Sequence, residues 1–203
     1  MAHRSHQGSG FLFLVLWFCL APSVALAHTG IGDTSGFAHG FMHPLSGLDH
    51  QLAMILVGLF AYQLGGRAVW LVPLTFVAVM VVGGVLGING LPLPFVEIGI
   101  ALSVVVLGAV VAFGVKAPVA VAAGLVGLFA VFHGHAHGTE MPLDASGAGY
   151  GLGFALATAL LHGIGIGVGL LIGMSTRTLG DSVYRAVGGM ASIAGVALLF
   201  GYI

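Results

Sequence analysis

Residues 69–88 of this chain read VWLVPLTFVAVMVVGGVLGI, an apolar run without a charged residue. A run of about 20 such residues is long enough to cross the hydrocarbon core of a bilayer as one α-helix. Hydrophobic residues make up 59% of the chain and charged residues only 5%, whereas soluble domains carry roughly 25% charged residues. The sequence therefore predicts a protein that is dissolved in a lipid bilayer.

Further apolar stretches of spanning length lie on both sides of this run. Turn signals such as Gly65-Gly66 and Met141-Pro142 separate them, because glycine and proline interrupt regular structure. We expect an all-α polytopic bundle of about six transmembrane helices, near residues 44–64, 69–88, 94–113, 118–132, 149–174 and 184–203.

The first 27 residues have the pattern of a secretory signal peptide. Arg4 precedes an apolar core at residues 11–20, and Ala25 and Ala27 occupy the small-residue positions of a cleavage site. We predict that residues 1–27 are removed and that residues 28–203 form a single transmembrane domain. The alternative is an uncleaved signal anchor that adds a seventh span.

The basic residues predict the orientation, because Lys and Arg near span ends stay on the cytoplasmic side. With the mature N-terminus outside, the loops after the first, third and fifth spans are cytoplasmic, and they hold every basic residue of the mature chain: Arg67, Lys116, Arg177 and Arg185. The expected location is the bacterial inner membrane, with a periplasmic N-terminus. Most acids then fall on the outer side, at Asp33, Glu97, Glu140 and Asp144.

Composition also excludes several classes of function. The net charge of −1 and the five basic residues leave no patch that could neutralise nucleic-acid phosphates. A single cysteine, Cys19, excludes an internal disulfide and a CxxC site. The 35 glycines include several GxxxG spacings in the fifth span, which predict close helix packing, either within the chain or in a homo-oligomer.

Histidines and acids cluster near the outer end of the first span. His43, Asp49 and His50 lie within eight residues, and His43 and His50 share one face if a single helix begins at Pro44. Asp49 is then either a ligand or the acceptor that fixes an imidazole tautomer.

A second cluster closes the fourth span, where His133, His135 and Glu140 lie among glycines. We expect these glycines to let the backbone leave the helix and turn the side chains inward. Because exposed histidine-rich segments are often only solvated, His39 and His137 are left out of the predicted ligand set. His162 lies in the middle of the fifth span, where an ionisable residue is rare and usually functional.

Imidazole ligands suit nickel, cobalt, zinc, copper and iron, while the lack of thiolates and the few carboxylates argue against soft-metal traps, Mg²⁺ and Ca²⁺. After cleavage His28 offers both its α-amine and its ring. We therefore predict a binding site for a divalent transition-metal ion. The predicted ligands are His28, His43, Asp49, His50, His133, His135, Glu140 and His162.

These motifs resemble those of the HupE/UreJ family of membrane proteins. The pattern His, five residues, Asp-His matches residues 43–50, and Phe-His-Gly-x-Ala-x-Gly-x-Glu matches residues 132–140. The resemblance covers essentially the whole chain. It implies a nickel or cobalt permease that serves hydrogenase or urease maturation, is not an enzyme and carries no prosthetic group; Zn²⁺ stays open as the transported ion.

Two other functions stay open. One is an intramembrane zinc hydrolase with Glu140 as general base, although the chain has no HExxH motif. The other is a sensor or accessory protein that binds a metal without transporting it.

Overall fold

The computed structural model describes residues 36–142 and 146–201. The predicted signal peptide, His28, Asp33 and Asp144 lie outside the described residues. Every regular element within them is an α-helix, which confirms the all-α prediction. In chain order the helices are α1 (Gly36–Ser46), α2 (Leu48–Leu64), α3 (Ala68–Ile88), α4 (Val96–Ala112), α5 (Val119–Thr139), α6 (Gly147–Gly173) and α7 (Arg177–Leu199).

Most of these helices have the length and composition of membrane spans. Helices α3, α5, α6 and α7 qualify individually, and α1 with α2 qualifies as a fifth, bent pair. Helix α4 is apolar but has only 17 residues. The six predicted spans therefore correspond to the bent pair and the five helices that follow it.

Two predicted boundaries are wrong. The fourth predicted span ends at residue 132, but α5 continues to Thr139 through the histidine cluster. The sixth predicted span begins at residue 184, but α7 begins at Arg177 and includes most of the polar stretch 175–181 that follows the fifth predicted span. Polar residues can form the first turn of a helix when that turn lies at the edge of the bilayer, where water satisfies the free backbone N–H groups.

The first predicted span is broken at Gly47, where α1 and α2 meet at 83°. Pro44 lies inside α1 and lacks a backbone N–H. The break leaves carbonyl oxygens at the end of α1 without partners in the helix, and side chains donate to two of them. Ser46 Oγ donates to His43 O at 2.6 Å, and Gln51 Nε2 donates to Leu45 O at 2.6 Å. The expectation that His43 and His50 share a face of one helix is therefore wrong.

The histidine cluster of α5 stays helical because its glycines are used for packing. A Cβ on Gly134 would overlap the carbonyl of Met80, and one on Gly138 would overlap the carbonyl of Gly84. The backbones of α3 and α5 therefore touch along this line, as small residues permit in lipid. The expectation that these glycines turn the backbone out of the helix is wrong.

Glycines of α6 make similar contacts within the chain. A Cβ on Gly165 would overlap the carbonyl of Ile55 on α2, and one on Gly153 would overlap the carbonyl of Phe37 on α1. Gly163 and Gly167 have no atom within 4 Å of such a Cβ. At least part of the GxxxG pattern is thus internal packing that holds α1 and α2 against α6.

Candidate metal centre

Three helices bring histidines together at one end of the bundle, which we call the histidine end, and a fourth helix packs against them. Helix α1 supplies His43, the first turn of α2 supplies Asp49 and His50, and the last two turns of α5 supply His133 and His137. The start of α6 closes the cluster, because Phe154 lies with its ring centroid 3.8 Å from that of His137. The break at Gly47 thus directs the histidines of α1 and α2 to this end of the bundle. The straight course of α5 brings His133 and His137 to the same end.

The outer layer of the cluster contains His43, His137 and Glu140. His43 Nε2 lies 3.1 Å from Glu140 Oε2, and the His43 and His137 ring centroids are 4.6 Å apart. One ligand atom from each residue lies within 4.8 Å of the others. At bond lengths of about 2.0–2.2 Å, neighbouring ligand atoms are about 3 Å apart, so the three atoms would have to move closer together to coordinate one ion.

The inner layer contains His50 and His133 and shares His137 with the outer layer. The His50 ring centroid lies 4.4 Å from that of His137 and 4.8 Å from that of His133. His133 and His137 are one helical turn apart on α5 and face the same side. The four imidazoles therefore form a continuous series from the half-buried His43 to the fully buried His133.

Asp49 determines which ring nitrogen of His50 carries the proton. Its Oδ1 atom accepts from both the backbone N–H and the ring Nδ1 of His50, each at 2.7 Å. A carboxylate can only accept, so Nδ1 carries the proton and the lone pair lies on Nε2. His50 Nε2 is buried and has no hydrogen-bond partner, which leaves it available to an ion while Asp49 supports the ring from behind.

Buried ring nitrogens without partners are concentrated here. Among the described residues, these atoms are His50 Nε2, His133 Nδ1, His135 Nδ1, and both nitrogens of His137 and of His162. Four of the seven belong to the cluster, at His50, His133 and His137. Each unpaired buried polar group costs about 1–3 kcal/mol, and such groups call for an explanation. A cation bound between the imidazoles would satisfy several of them at once.

His162 lies beyond this series, on α6. Its ring is 1% exposed and packs edge-on against Phe76, with centroids 5.1 Å apart. The same Phe76 ring lies 5.6 Å from His133. The Phe76 ring therefore contacts both the inner layer and His162.

One predicted ligand lies away from the cluster, and another lies outside the described residues. His135 is buried on another side of α5, where its Nε2 atom donates to the carbonyl of Leu91 at 2.7 Å, and its ring makes none of the contacts described for the neighbouring histidines. His28 lies outside the described residues. The structure thus brings together five of the eight predicted ligands, at His43, Asp49, His50, His133 and Glu140, and His162 contacts Phe76.

Sequence reasoning missed His137, which lies at the junction of the two layers and is 2% exposed. Its spacing of four residues from His133 was a usable signal, because both lie on one face if the helix continues. It also missed Tyr150, whose ring centroid lies 6.5 Å from that of His43 and whose hydroxyl is buried without a partner. No sequence signal identified Tyr150.

A cavity of about 540 Å³ lies beside His137, between α3, α5 and α6. Among the described residues that line it, His137 and Tyr150 are the polar ones; the rest are glycines and apolar side chains such as Val81, Val85 and Leu152. A hydrated ion would lose its water there without compensation. The polar approach to the cluster is therefore through His43 and the exposed Glu140.

The donor set suits a divalent transition-metal ion. Neutral imidazoles are favoured by nickel, cobalt and zinc, and the two carboxylates, Asp49 and Glu140, can together balance a charge of +2. His137 could pass an ion from the outer layer to the inner one without full release, because it belongs to both. The arrangement can thus bind a cation and replace part of its hydration shell.

Comparisons with known proteins identify a family and a relative that this chain resembles. The family model described as HupE / UreJ protein matches residues 16–198. Protein HupE of Rhizobium leguminosarum bv. viciae is 52% identical over 183 residues, which is 89% of this chain and 92% of that relative. No solved structure matches the chain.

Proposed function

This chain belongs to the HupE/UreJ family, and we propose that it is a permease that carries Ni²⁺, or Co²⁺, across the bacterial inner membrane. The family is associated with nickel and cobalt uptake for hydrogenase and urease. In this proposal the histidine end faces the periplasm, and the imported ion supplies the maturation of a metalloenzyme. The chain acts on the ion by binding it, without a prosthetic group and without enzymatic turnover.

The observation that carries the proposal is the shared position of His137. Its ring contacts those of both His43 and His50, at centroid distances of 4.6 and 4.4 Å. Conduction requires sites that bind strongly enough to admit an ion and lie close enough to pass it on. Two adjacent sites with a common ligand meet that requirement better than one isolated cage does.

We propose a path in three steps. Glu140 and His43 capture the ion, His50 and His133 receive it through His137, and His162 accepts it after Phe76 moves aside. The sequence has no GxxxxGK[ST] motif, so the driving force in this proposal is the membrane potential. That potential favours inward movement of cations by about 2.3 kcal/mol per charge per 100 mV.

The deciding experiment is uptake of isotopic nickel and cobalt by liposomes that contain the purified protein. We expect uptake with a set membrane potential, and we expect His43→Ala and His133→Ala to lose most of it. His135→Ala is the matched control, because it removes an imidazole from the same helix as His133 but from another side. Equal uptake by wild type, His43→Ala and His133→Ala would reject the assigned site.

Binding without transport is the second candidate, and the position of Phe76 favours it. Its ring packs against both His133 and His162, and an apolar ring beside the path from one imidazole to the other offers a moving ion no ligand. Nickel binding by the protein in detergent, together with absence of flux in liposomes under every potential tested, would support an accessory or sensor role instead.

A further inference from the structure

Ser103 on α4 lies outside both sequence motifs, yet it makes a hydrogen bond to His133. Its side chain is fully buried, and its Oγ atom lies 3.0 Å from His133 Nε2 and 2.6 Å from the carbonyl oxygen of Ile100. Gly99 allows this contact, because a Cβ there would lie 2.5 Å from the ring of Phe132, the residue next to His133. The two helices therefore approach closely at this point.

The proton positions follow from the partners. The Ile100 carbonyl can only accept, so the single Ser103 hydroxyl proton is donated to it. Ser103 Oγ is then left with lone pairs and accepts the N–H of His133 Nε2. In the reverse arrangement the hydroxyl would donate to Nε2, and the bond to Ile100, worth about 1 kcal/mol, would be lost.

We propose that Ser103 is a positioning residue that holds His133 in the Nε2–H tautomer and directs the Nδ1 lone pair toward the metal path. His133 Nδ1 is buried and has no hydrogen-bond partner, and the ring lies 4.8 Å from that of His50. The inference rests on the proposed metal centre and deepens it.

Ser103 does for His133 what Asp49 does for His50, with the two ring nitrogens exchanged. Asp49 takes the Nδ1 proton of His50 and leaves Nε2 free; Ser103 takes the Nε2 proton of His133 and leaves Nδ1 free. Partners that orient a ligating histidine typically contribute 10–100-fold to metal affinity. A neutral hydroxyl achieves the orientation without adding a third negative charge to the site.

The first test is the tautomer of His133 in the metal-free protein, measured by nitrogen NMR of chain labelled at the histidine rings, with His133→Ala to assign its signals. We expect one neutral form, with Nε2 protonated and Nδ1 bare. Ser103→Ala should produce a mixture of forms, and Ser103→Thr, which keeps the hydroxyl, should restore the single form. A wild-type ring protonated on Nδ1 would overturn the proposal.

The second test is Ni²⁺ affinity in detergent, measured by titration calorimetry. We expect Ser103→Ala to weaken binding by about 10–100-fold. The matched control is Ser192→Ala, because Ser192 Oγ also donates to a carbonyl of α4, that of Val105, at 2.6 Å, but has no histidine partner. Ser192→Ala should bind Ni²⁺ as wild type does.

The outcomes separate the two proposals. Weakened binding in His133→Ala but not in Ser103→Ala would overturn the role of Ser103 and leave the metal centre intact. Unchanged binding in His133→Ala would overturn the metal centre itself. If Ser103→Thr does not fold, the comparison of Ser103→Ala with Ser192→Ala still decides the question, since both remove one hydroxyl.

Discussion

The histidines of α5 and those of the α1–α2 segment reach the same site by opposite means. His133 and His137 are placed by a regular helix, whose backbone is pressed against α3 by Gly134 and Gly138. His43 and His50 are placed by an interruption, because α1 ends and α2 begins at 83° on either side of Gly47. One side of the site is therefore set by packing and the other by a break that side chains have to stabilise.

This difference predicts that substitutions in the two halves of the site should have different effects. We call these the α5 half, with His133 and His137, and the α1–α2 half, with His43 and His50. The α5 half depends on the distance between two backbones, which a single methyl group can change. The α1–α2 half depends on local hydrogen bonds around the break, such as those from Ser46 and Gln51. A perturbation of packing should therefore affect the whole fold, whereas a perturbation of the break should affect mainly metal binding.

The largest expected effect is that of Gly134→Ala on the α5 half. The added Cβ would overlap the Met80 carbonyl, so α5 must move away from α3 and carry His133 and His137 with it. Overpacking of this kind costs about 1–3 kcal/mol or more. We expect a lower midpoint of thermal unfolding in detergent and Ni²⁺ affinity reduced by about 100-fold, as much as the loss of a strong supporting partner.

Gly124→Ala is the matched control for this change. Gly124 lies on the same helix, and a Cβ there would meet no atom within 4 Å. The control should unfold and bind Ni²⁺ as wild type does. If Gly134→Ala behaves like Gly124→Ala in both measurements, close contact with α3 does not place the α5 histidines.

A smaller effect is expected from Gly47→Ala at the break. The backbone of Gly47, with φ −94° and ψ 125°, is open to any residue, so strain does not arise. The new Cβ would instead lie 2.7 Å from Asp49 Oδ1 and 3.2 Å from His50 Nδ1, and would push apart the pair that fixes the His50 ring.

We expect Gly47→Ala to weaken Ni²⁺ binding by about tenfold, the lower end of what loss of an orienting partner costs, with an unchanged unfolding midpoint. Titration calorimetry and thermal unfolding measure the two quantities. Asp49→Asn is the comparison variant, because it removes the charge but keeps an oxygen acceptor for His50 Nδ1. A large loss of stability in Gly47→Ala would show that the two halves are not held by different means.

The helices and most residues of the site could be anticipated from the sequence, and the reasons are physical. Long apolar runs such as residues 69–88 require a helix in lipid, and the clusters at residues 43–50 and 133–140 are local patterns. The break at Gly47 could not be anticipated, because Pro44 inside an apolar run is compatible with either a kink or a helix start.

The contacts between helices could not be predicted from the sequence either. Spacing places His137 on the helix face of His133 and His135 on another, but it does not tell which face meets the α1–α2 segment. In the structure His135 bonds to Leu91 and His137 joins the cluster. Which side of α5 faces the site depends on how Gly134 and Gly138 dock on α3. Ser103 and Tyr150 enter the site only through that packing.

The smallest expected effect concerns His39, which tests how far along α1 the site extends. His39 lies one turn before His43 and is exposed, and its ring centroid is 6.4 Å from that of His43. Water can replace an exposed imidazole, so His39→Ala should change Ni²⁺ affinity by no more than about twofold, the usual range for surface substitutions. His43→Ala, in the same helix, is the positive control for the titration. Equal losses in the two variants would mean that α1 supplies two ligands, and that the break at Gly47 orients a longer entry path than the cluster of His43, His137 and Glu140.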